Sequence, residues 1–412
     1  MRRLFLVVLA LALAFGVQAQ QVKAPKCGKR LTSRQVVEYL AADALQGRNG
    51  GTEGDTLASE FIYRQMEKLG LQPGMQKFNV KKGNVNTFNV YGSVAGRSGK
   101  YIVVGAHYDH LGMGGPGSGS RRPDTLAIHN GADDNASGVA GMLYLAKHFA
   151  KSKNLEHGII FAAFGAEERG IVGSKHMADN LQELVLAGGR AISASDVVAM
   201  VNFDMIGRLR GNAITLGGTG TAKEMDHIIA EAENLYGKAL KVTRSAQGHG
   251  PSDHSAFYAK NIPVFYLTTG GTEDYHTPDD DAHKLNYPGA DSVAAFAALL
   301  VEQVQKYPKG LSFTDTGSPE ASPMRAGFKV SLGLMPDVTG QVENGLRADI
   351  IVKGKPAHKA GMKNGDIIIQ VNDIKIKDIE VYMQALGTLK KGEKAVVKIL
   401  RGGEEMVLEV QL

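Results

Sequence analysis

Along most of the chain, short unbroken apolar runs alternate with stretches in which apolar residues recur every three to four positions. The runs are Tyr101–Ala106 (YIVVGA), Gly158–Ala166 (GIIFAAFGA), Val197–Phe203 (VVAMVNF) and Ile262–Leu267 (IPVFYL), each bounded by glycine or polar residues. They are short for helices and lack the in-out alternation of a half-exposed strand, so they predict strands buried on both faces. Between them, SGVAGMLYLAKHFAKS (Ser137–Ser152) puts Val139, Met142, Leu143, Ala146 and Phe149 on one helical face. A second helix is predicted over Thr56–Gly70, with Gly70 as its stop. The alternation predicts an α/β fold with a mixed, largely parallel central sheet and helices on both faces.

The pattern changes in two places. The opening MRRLFLVVLALALAFGVQAQ carries two arginines, an apolar run Leu4–Phe15 and the small-residue site Val17-Gln18-Ala19. It reads as a signal peptide over residues 1–19, which predicts an exported protein, periplasmic or secreted. Its apolar run is well short of the roughly 20 residues a membrane span needs, and no later segment qualifies, so no transmembrane segment is expected. The second change is Lys309–Gly327, where Gly, Ser, Thr, Pro and Asp replace the apolar periodicity. It predicts a main domain over 31–307, a linker over 308–325 and a small β-rich domain over 326–412.

Charge and cysteine content narrow the partners. The chain has 47 basic and 42 acidic residues, a net charge of +5 that becomes +3 without Arg2 and Arg3. With no basic tract interleaved with aromatics, nucleic acid is not an expected partner. Cys27 is the only cysteine, so no intramolecular disulfide forms even in an oxidising compartment.

Candidate chemistry lies at the predicted strand ends, where an open α/β sheet binds its ligands. His107 and Asp109 follow the first run in HYDH, Glu167-Glu168 follow the second, Asp204 closes the third, and His276 lies in TTGGTEDYHTPDD beyond the fourth. Asp133 and Asp134 begin the helix after the first run, in GADDNASG. Singly, each is explained by capping or exposure. Jointly they converge imidazoles and carboxylates on one rim, the donor set of a hydrolytic zinc site. Adjacent glutamates suit such a site, because one can ligate while the other takes a proton, and one aspartate can bridge two ions.

The ordered motifs GAHYDH, GADDNASG, FGAEERGIVGS, NFDMIGR and EDYHTPDD resemble the signatures of the M28 family of co-catalytic zinc aminopeptidases, over roughly Leu31–Tyr307. The resemblance implies two Zn²⁺ ions per chain. It implies that His107 and Asp204 bind one, that Glu168 and His276 bind the other, and that Asp134 bridges them. Glu167 is then the general base, and Asp133 is left as a loop or supporting acceptor. Asp109 is expected to orient a ligand imidazole, and Tyr275 to donate to the oxyanion. GPSDHSAF (Gly250–Phe257) resembles a segment lining the substrate cleft, with Asp253 and His254 outside the metal set. The glycine-rich stretch Gly112–Asp124 has no P-loop lysine and is expected to be a mobile loop over the rim. H-E-x-x-H and G-x-S-x-G do not occur.

The C-terminal segment, Ala326–Leu412, resembles the PDZ domains of exported bacterial proteases in its period-two strands, its Pro-Ala-x-x-Ala-Gly helix and its Gly-Asp turn. The resemblance places a peptide C-terminus at the loop Ser331–Asp337, with the peptide added as a strand. The resulting expectation is a zinc aminopeptidase acting on peptides. The alternatives are a glutaminyl cyclase or carboxypeptidase on the same scaffold, and a PDZ-led peptide-binding adaptor.

Overall fold

The computed structural model describes residues 31–317 and 330–412, apart from Lys82, 337–341, 343–344, Lys353 and Asp378. The signal-peptide reading, Cys27, Asp337 and much of the linker fall outside the described residues.

The elements of the large unit are α1 (Ser33–Leu40), α2 (Glu53–Lys68), β1 (Gln72–Val80), β2 (Val85–Val94), β3 (Tyr101–His107), α3 (Gly138–Phe149), β4 (Gly158–Phe164), α4 (Val172–Asp179), β5 (Val197–Phe203), β6 (Ala213–Gly217), α5 (Met225–Leu235), β7 (Lys241–Arg244), α6 (His254–Tyr258), β8 (Val264–Thr268) and α7 (Tyr287–Val304). They form one eight-stranded sheet in the order β1-β2-β4-β3-β5-β8-β6-β7. The four central strands β4, β3, β5 and β8 are mutually parallel. The antiparallel hairpin β1–β2 extends one side, and β6 pairs antiparallel with β8 on the other.

The four strands predicted from unbroken apolar runs are these central ones, and every residue in them is buried. Alternate side chains of β3 feed two cores. Ile102, Val104 and Ala106 pack with helices α1, α2, α3, α5 and α7, while Tyr101 and Val103 pack with α4 and α6. Both faces are covered, as parallel strands require. The second predicted helix starts earlier than its apolar pattern. Thr52 caps α2 by accepting the Asp55 N–H at 3.4 Å, and the last helical residue is Lys68.

The connection β3-α3-β4 places β4 on one side of β3, and the following connection places β5 on the other. This reversal opens a crevice outside the carboxyl end of β3, where ligands bind in doubly wound sheets.

The C-terminal unit comprises β9 (Leu334–Pro336), β10 (Leu346–Ile351), α8 (Pro356–Lys359), β11 (Ile367–Val371), β12 (Ile374–Lys375), α9 (Ile379–Thr388), β13 (Lys394–Arg401) and β14 (Glu404–Gln411). Its antiparallel strands run in the order β14-β13-β11-β10-β9, around a hydrophobic core of its own. The buried Asp366 accepts from the Nε and one terminal nitrogen of Arg401, both at 2.8 Å, a bidentate pair that ties β13 to the turn before β11.

Candidate active site

The crevice at β3 collects the predicted residues. His107 is the last residue of β3, and Asp204 directly follows β5. Glu167 and Glu168 follow β4 after a two-residue turn, and His276 arrives on the loop after β8. Asp134 lies in the irregular turn before α3. His107 Nε2 is 3.3 Å from Asp134 Oδ1 and 3.5 Å from Asp204 Oδ1. His276 Nε2 is 3.1 Å from both Asp134 Oδ2 and Glu168 Oε2. Two groups able to hold a metal ion result, His107–Asp134–Asp204 and His110–Asp134–Glu168, sharing Asp134. His276 closes on the second.

The donor chemistry fits divalent zinc, since all contacts are imidazole nitrogens and carboxylate oxygens. A second sign of fit is the set of buried atoms that find no hydrogen-bond partner: Asp204 Oδ1, Glu168 Oε1 and both ring nitrogens of His110. Buried polar atoms are rarely left so. Electrostatics agree. Although burial alone would raise it, the Asp134 carboxyl is pulled well below its ordinary range by His107, His110 and His276. Glu168, against the same burial, is drawn down to about 2, chiefly by His276. His107 and His276 are raised well above 6.5 by the surrounding carboxylates despite their burial. The field that holds protons on these imidazoles is one that attracts cations.

Glu167 behaves differently from its neighbour. Burial, together with Asp253, Glu168 and Asp204, raises its carboxyl well above 4.5 against the pull of His107, so unlike Glu168 it has a high affinity for a proton. Tyr275 stacks on His276 with ring centroids 3.9 Å apart, and burial beside Asp134 and Glu168 raises its phenol well above 10. Its O–H therefore stays a donor.

The supporting contacts depart from the sequence reading in two places. Asp109 does not hydrogen-bond the imidazole through its carboxylate, which lies 3.8 Å from His107 Nδ1; its backbone carbonyl takes that contact at 3.2 Å. The Asp109 carboxylate instead accepts the N–H groups of Glu167 at 2.8 Å and Glu168 at 3.3 Å, orienting both glutamates. The glycine-rich stretch expected to be a mobile loop is tied to the rim. The Gly119 carbonyl lies 3.1 Å from His276 Nδ1, and Arg121 donates to the carbonyls of Glu273 and Tyr275 at 3.2 and 3.3 Å. Asp253, kept out of the metal set by the sequence reading, lies in neither metal group; it is buried, and burial raises it to about 7 within the field of His107 and Asp204.

The small residues around Asp134 have a use. Asn135 donates to the Phe203 carbonyl at 2.9 Å and accepts from Met205 and Gly138, Ser137 accepts from Ile206, and Asp133 accepts from Gly207 at 2.7 Å. The turn is thereby sewn to the loop carrying Asp204. A side chain at Gly138 would meet Asn135 Oδ1 at 2.2 Å, and one at Gly131, whose φ is +56°, would meet the His110 ring at 2.5 Å. Ala166, Met205 and His276 also hold positive φ without being glycine, which places backbone strain next to site residues.

Sequence reading missed three contributors. Arg48 is fully buried and donates to the carbonyls of Leu40, Tyr108, Asn130 and Gly131, clamping the loops that bear His107 and Asp134. Asp280 accepts the N–H groups of Asp133 and Asp134. His110 lies 2.8 Å from Glu168. Nothing in local periodicity marks Arg48 or Asp280; the second histidine of HYDH was visible but had no assigned partner.

In the C-terminal unit, Ser331, Gly333 and Leu334 line a cavity of about 530 Å³ with Lys355 and Lys391, and Arg121 and Tyr275 also border it.

The chain matches the family model for peptidase family M28 over residues 89–301 and that for the PDZ domain over residues 330–412. The first match covers more than half of the chain, and the chain belongs to peptidase family M28. It is 27% identical over 244 residues to a probable leucine aminopeptidase of Trichophyton verrucosum, a match covering 56% of this chain and 60% of that protein. The chain thus spans about three fifths of the length of that curated relative. Among solved structures, a zinc aminopeptidase from Bacillus subtilis aligns with a TM-score of 0.54 at 17% identity, over 67% of this chain and 95% of that one. Glutaminyl cyclase of Porphyromonas gingivalis aligns with a TM-score of 0.55 at 17% identity, over 66% and 96%. At such identities the two structures share the fold alone.

Proposed function

We propose that the protein is an exported dizinc aminopeptidase that removes N-terminal residues from peptides. The observation that carries this reading is the pair of His/carboxylate groups sharing Asp134, with Glu167 next in sequence to Glu168 and outside both groups. His107, Asp134 and Asp204 would hold one ion, and Glu168, His276 and Asp134 the other. Bound there, the two ions would supply Lewis acidity, acidifying an attacking water and polarising the scissile carbonyl.

The remaining work falls to the chain's own groups. Glu167, fixed through its N–H by Asp109, takes the proton of the attacking water and returns it to the departing amine. Its raised proton affinity suits both steps. Tyr275, still protonated, donates to the oxygen on which negative charge develops. The C-terminal PDZ domain takes a peptide's carboxylate at the loop Ser331–Asp337, and Lys355 and Lys391 at the nearby cavity favour that charge.

The exopeptidase reading is tested with aminoacyl chromogenic substrates offered free and N-acetylated. Free substrates should be hydrolysed and their acetylated forms spared; equal rates on both would sink it.

A further inference from the structure

The second metal group contains one more imidazole than the reading above uses. His110 Nδ1 lies 2.8 Å from Glu168 Oε1 and 3.8 Å from Asp134 Oδ2, and its side chain is completely buried. At 2.8 Å a hydrogen bond would be expected, yet neither ring nitrogen of His110 makes one, and Glu168 Oε1 is equally unpartnered. Imidazole and carboxylate groups that lie together without hydrogen-bonding are arranged as ligands are, and an unpaired buried imidazole is otherwise unfavourable. His276 approaches the other oxygen of the same glutamate, Oε2, at 3.1 Å, and the two imidazole rings meet edge to face with centroids 5.7 Å apart. Glu168 is therefore bracketed by two histidines, one at each oxygen.

The position of His110 is enforced. The Arg48 guanidinium holds the carbonyls of Tyr108, two residues before His110, and of Gly131, against its ring, at 2.7 and 2.9 Å. The His110 N–H reaches back to the Arg48 carbonyl at 3.4 Å, and Gly131 leaves room for the ring where any side chain would collide with it.

We propose that His110 is a fourth protein ligand of the second metal position, completing the set Asp134, Glu168 and His276. This rests on the dizinc reading and deepens it by making the two positions unequal. Four protein ligands hold a metal more tightly than three. The His107–Asp134–Asp204 position, with three, keeps room for water and for the substrate. The second ion is then the tightly retained one, and the first is the site of ligand exchange.

The test is Co²⁺ binding to the full, metal-stripped chain, followed by visible absorption and chelator competition, in the wild type, His110→Gln and His110→Cys. Wild type should bind two equivalents. In His110→Gln the tighter equivalent should weaken by about 100-fold or more while the other keeps its affinity and spectrum. In His110→Cys a thiolate-to-cobalt charge-transfer band should appear in the near ultraviolet, a signature that a merely structural residue cannot produce. Two equivalents with wild-type affinities in His110→Gln, and no such band in a folded His110→Cys, would overturn the assignment. A wild-type chain that binds no metal would overturn the dizinc reading itself, a result distinguishable from the first.

Discussion

Asp280 accepts the backbone N–H groups of both Asp133 and Asp134, at 2.9 and 3.0 Å, so the loop that delivers His276 also fixes the carboxylate shared by the two metal groups. His276 and Asp134 belong to distant parts of the sequence, and Asp280 makes their relative placement a single structural fact. Asp280→Asn keeps the shape but removes the charge that favours two amide donors. We expect zinc affinity to fall about 10- to 100-fold, as with other groups that orient a ligand, with little change in thermal stability. Competition with a chromogenic chelator measures it.

Arg48 satisfies four buried carbonyls, and burial lowers it only to about 10, so it is charged at neutral pH. Arg48→Met would leave those acceptors unpaired in the interior, at about 1–3 kcal/mol each before relaxation. We expect a loss of about 3 kcal/mol or more in urea unfolding, and only partial recovery in Arg48→Lys, whose ammonium cannot span four acceptors.

His254 is buried against Tyr266 with ring centroids 4.4 Å apart, and burial lowers it to about 3. In the unfolded chain a histidine titrates near 6.5. Between these values the unfolded state binds the extra proton, so this residue's contribution is fully present above about pH 6.5 and is lost as pH falls toward 3. The slope it adds is at most about 1.4 kcal/mol per pH unit. Subtracting the pH dependence of His254→Gln from that of the wild type, by denaturant unfolding between pH 4 and 7, should isolate a positive slope.

How much of this was legible in sequence differs by element. The four central strands were, because a strand buried on both faces must be apolar at every position, and their ends marked the rim. The β1–β2 hairpin was not, since QPGMQKFNV, on the partly exposed edge, and VNTFNVYGSV, beside it, interrupt their apolar residues with glycine, asparagine and other polar residues. The residues meeting at the site were legible only through the ordered motifs, because each has an ordinary explanation alone. Arg48, Asp280 and the anchoring of the glycine-rich loop were invisible for one physical reason. Their partners are backbone N–H and carbonyl groups, which carry no residue identity to be read.

For the PDZ domain, a peptide with a free C-terminal carboxylate should bind the full chain more tightly than its amidated form. Lys355→Glu combined with Lys391→Glu should remove most of that difference, about tenfold if one charged hydrogen bond is lost. Fluorescence anisotropy reads both, and equal binding of the two peptides to the wild type would contradict it.

Two zinc ions with Glu167 as the base can be examined by titrating the metal-stripped chain with zinc while following hydrolysis of a free aminoacyl substrate, in parallel with Glu167→Gln. Wild-type activity should rise from near zero to a plateau at two equivalents. Glu167→Gln should bind the same two equivalents yet remain about 10²- to 10⁴-fold slower. Full activity in the stripped chain, or in Glu167→Gln, would contradict that mechanism.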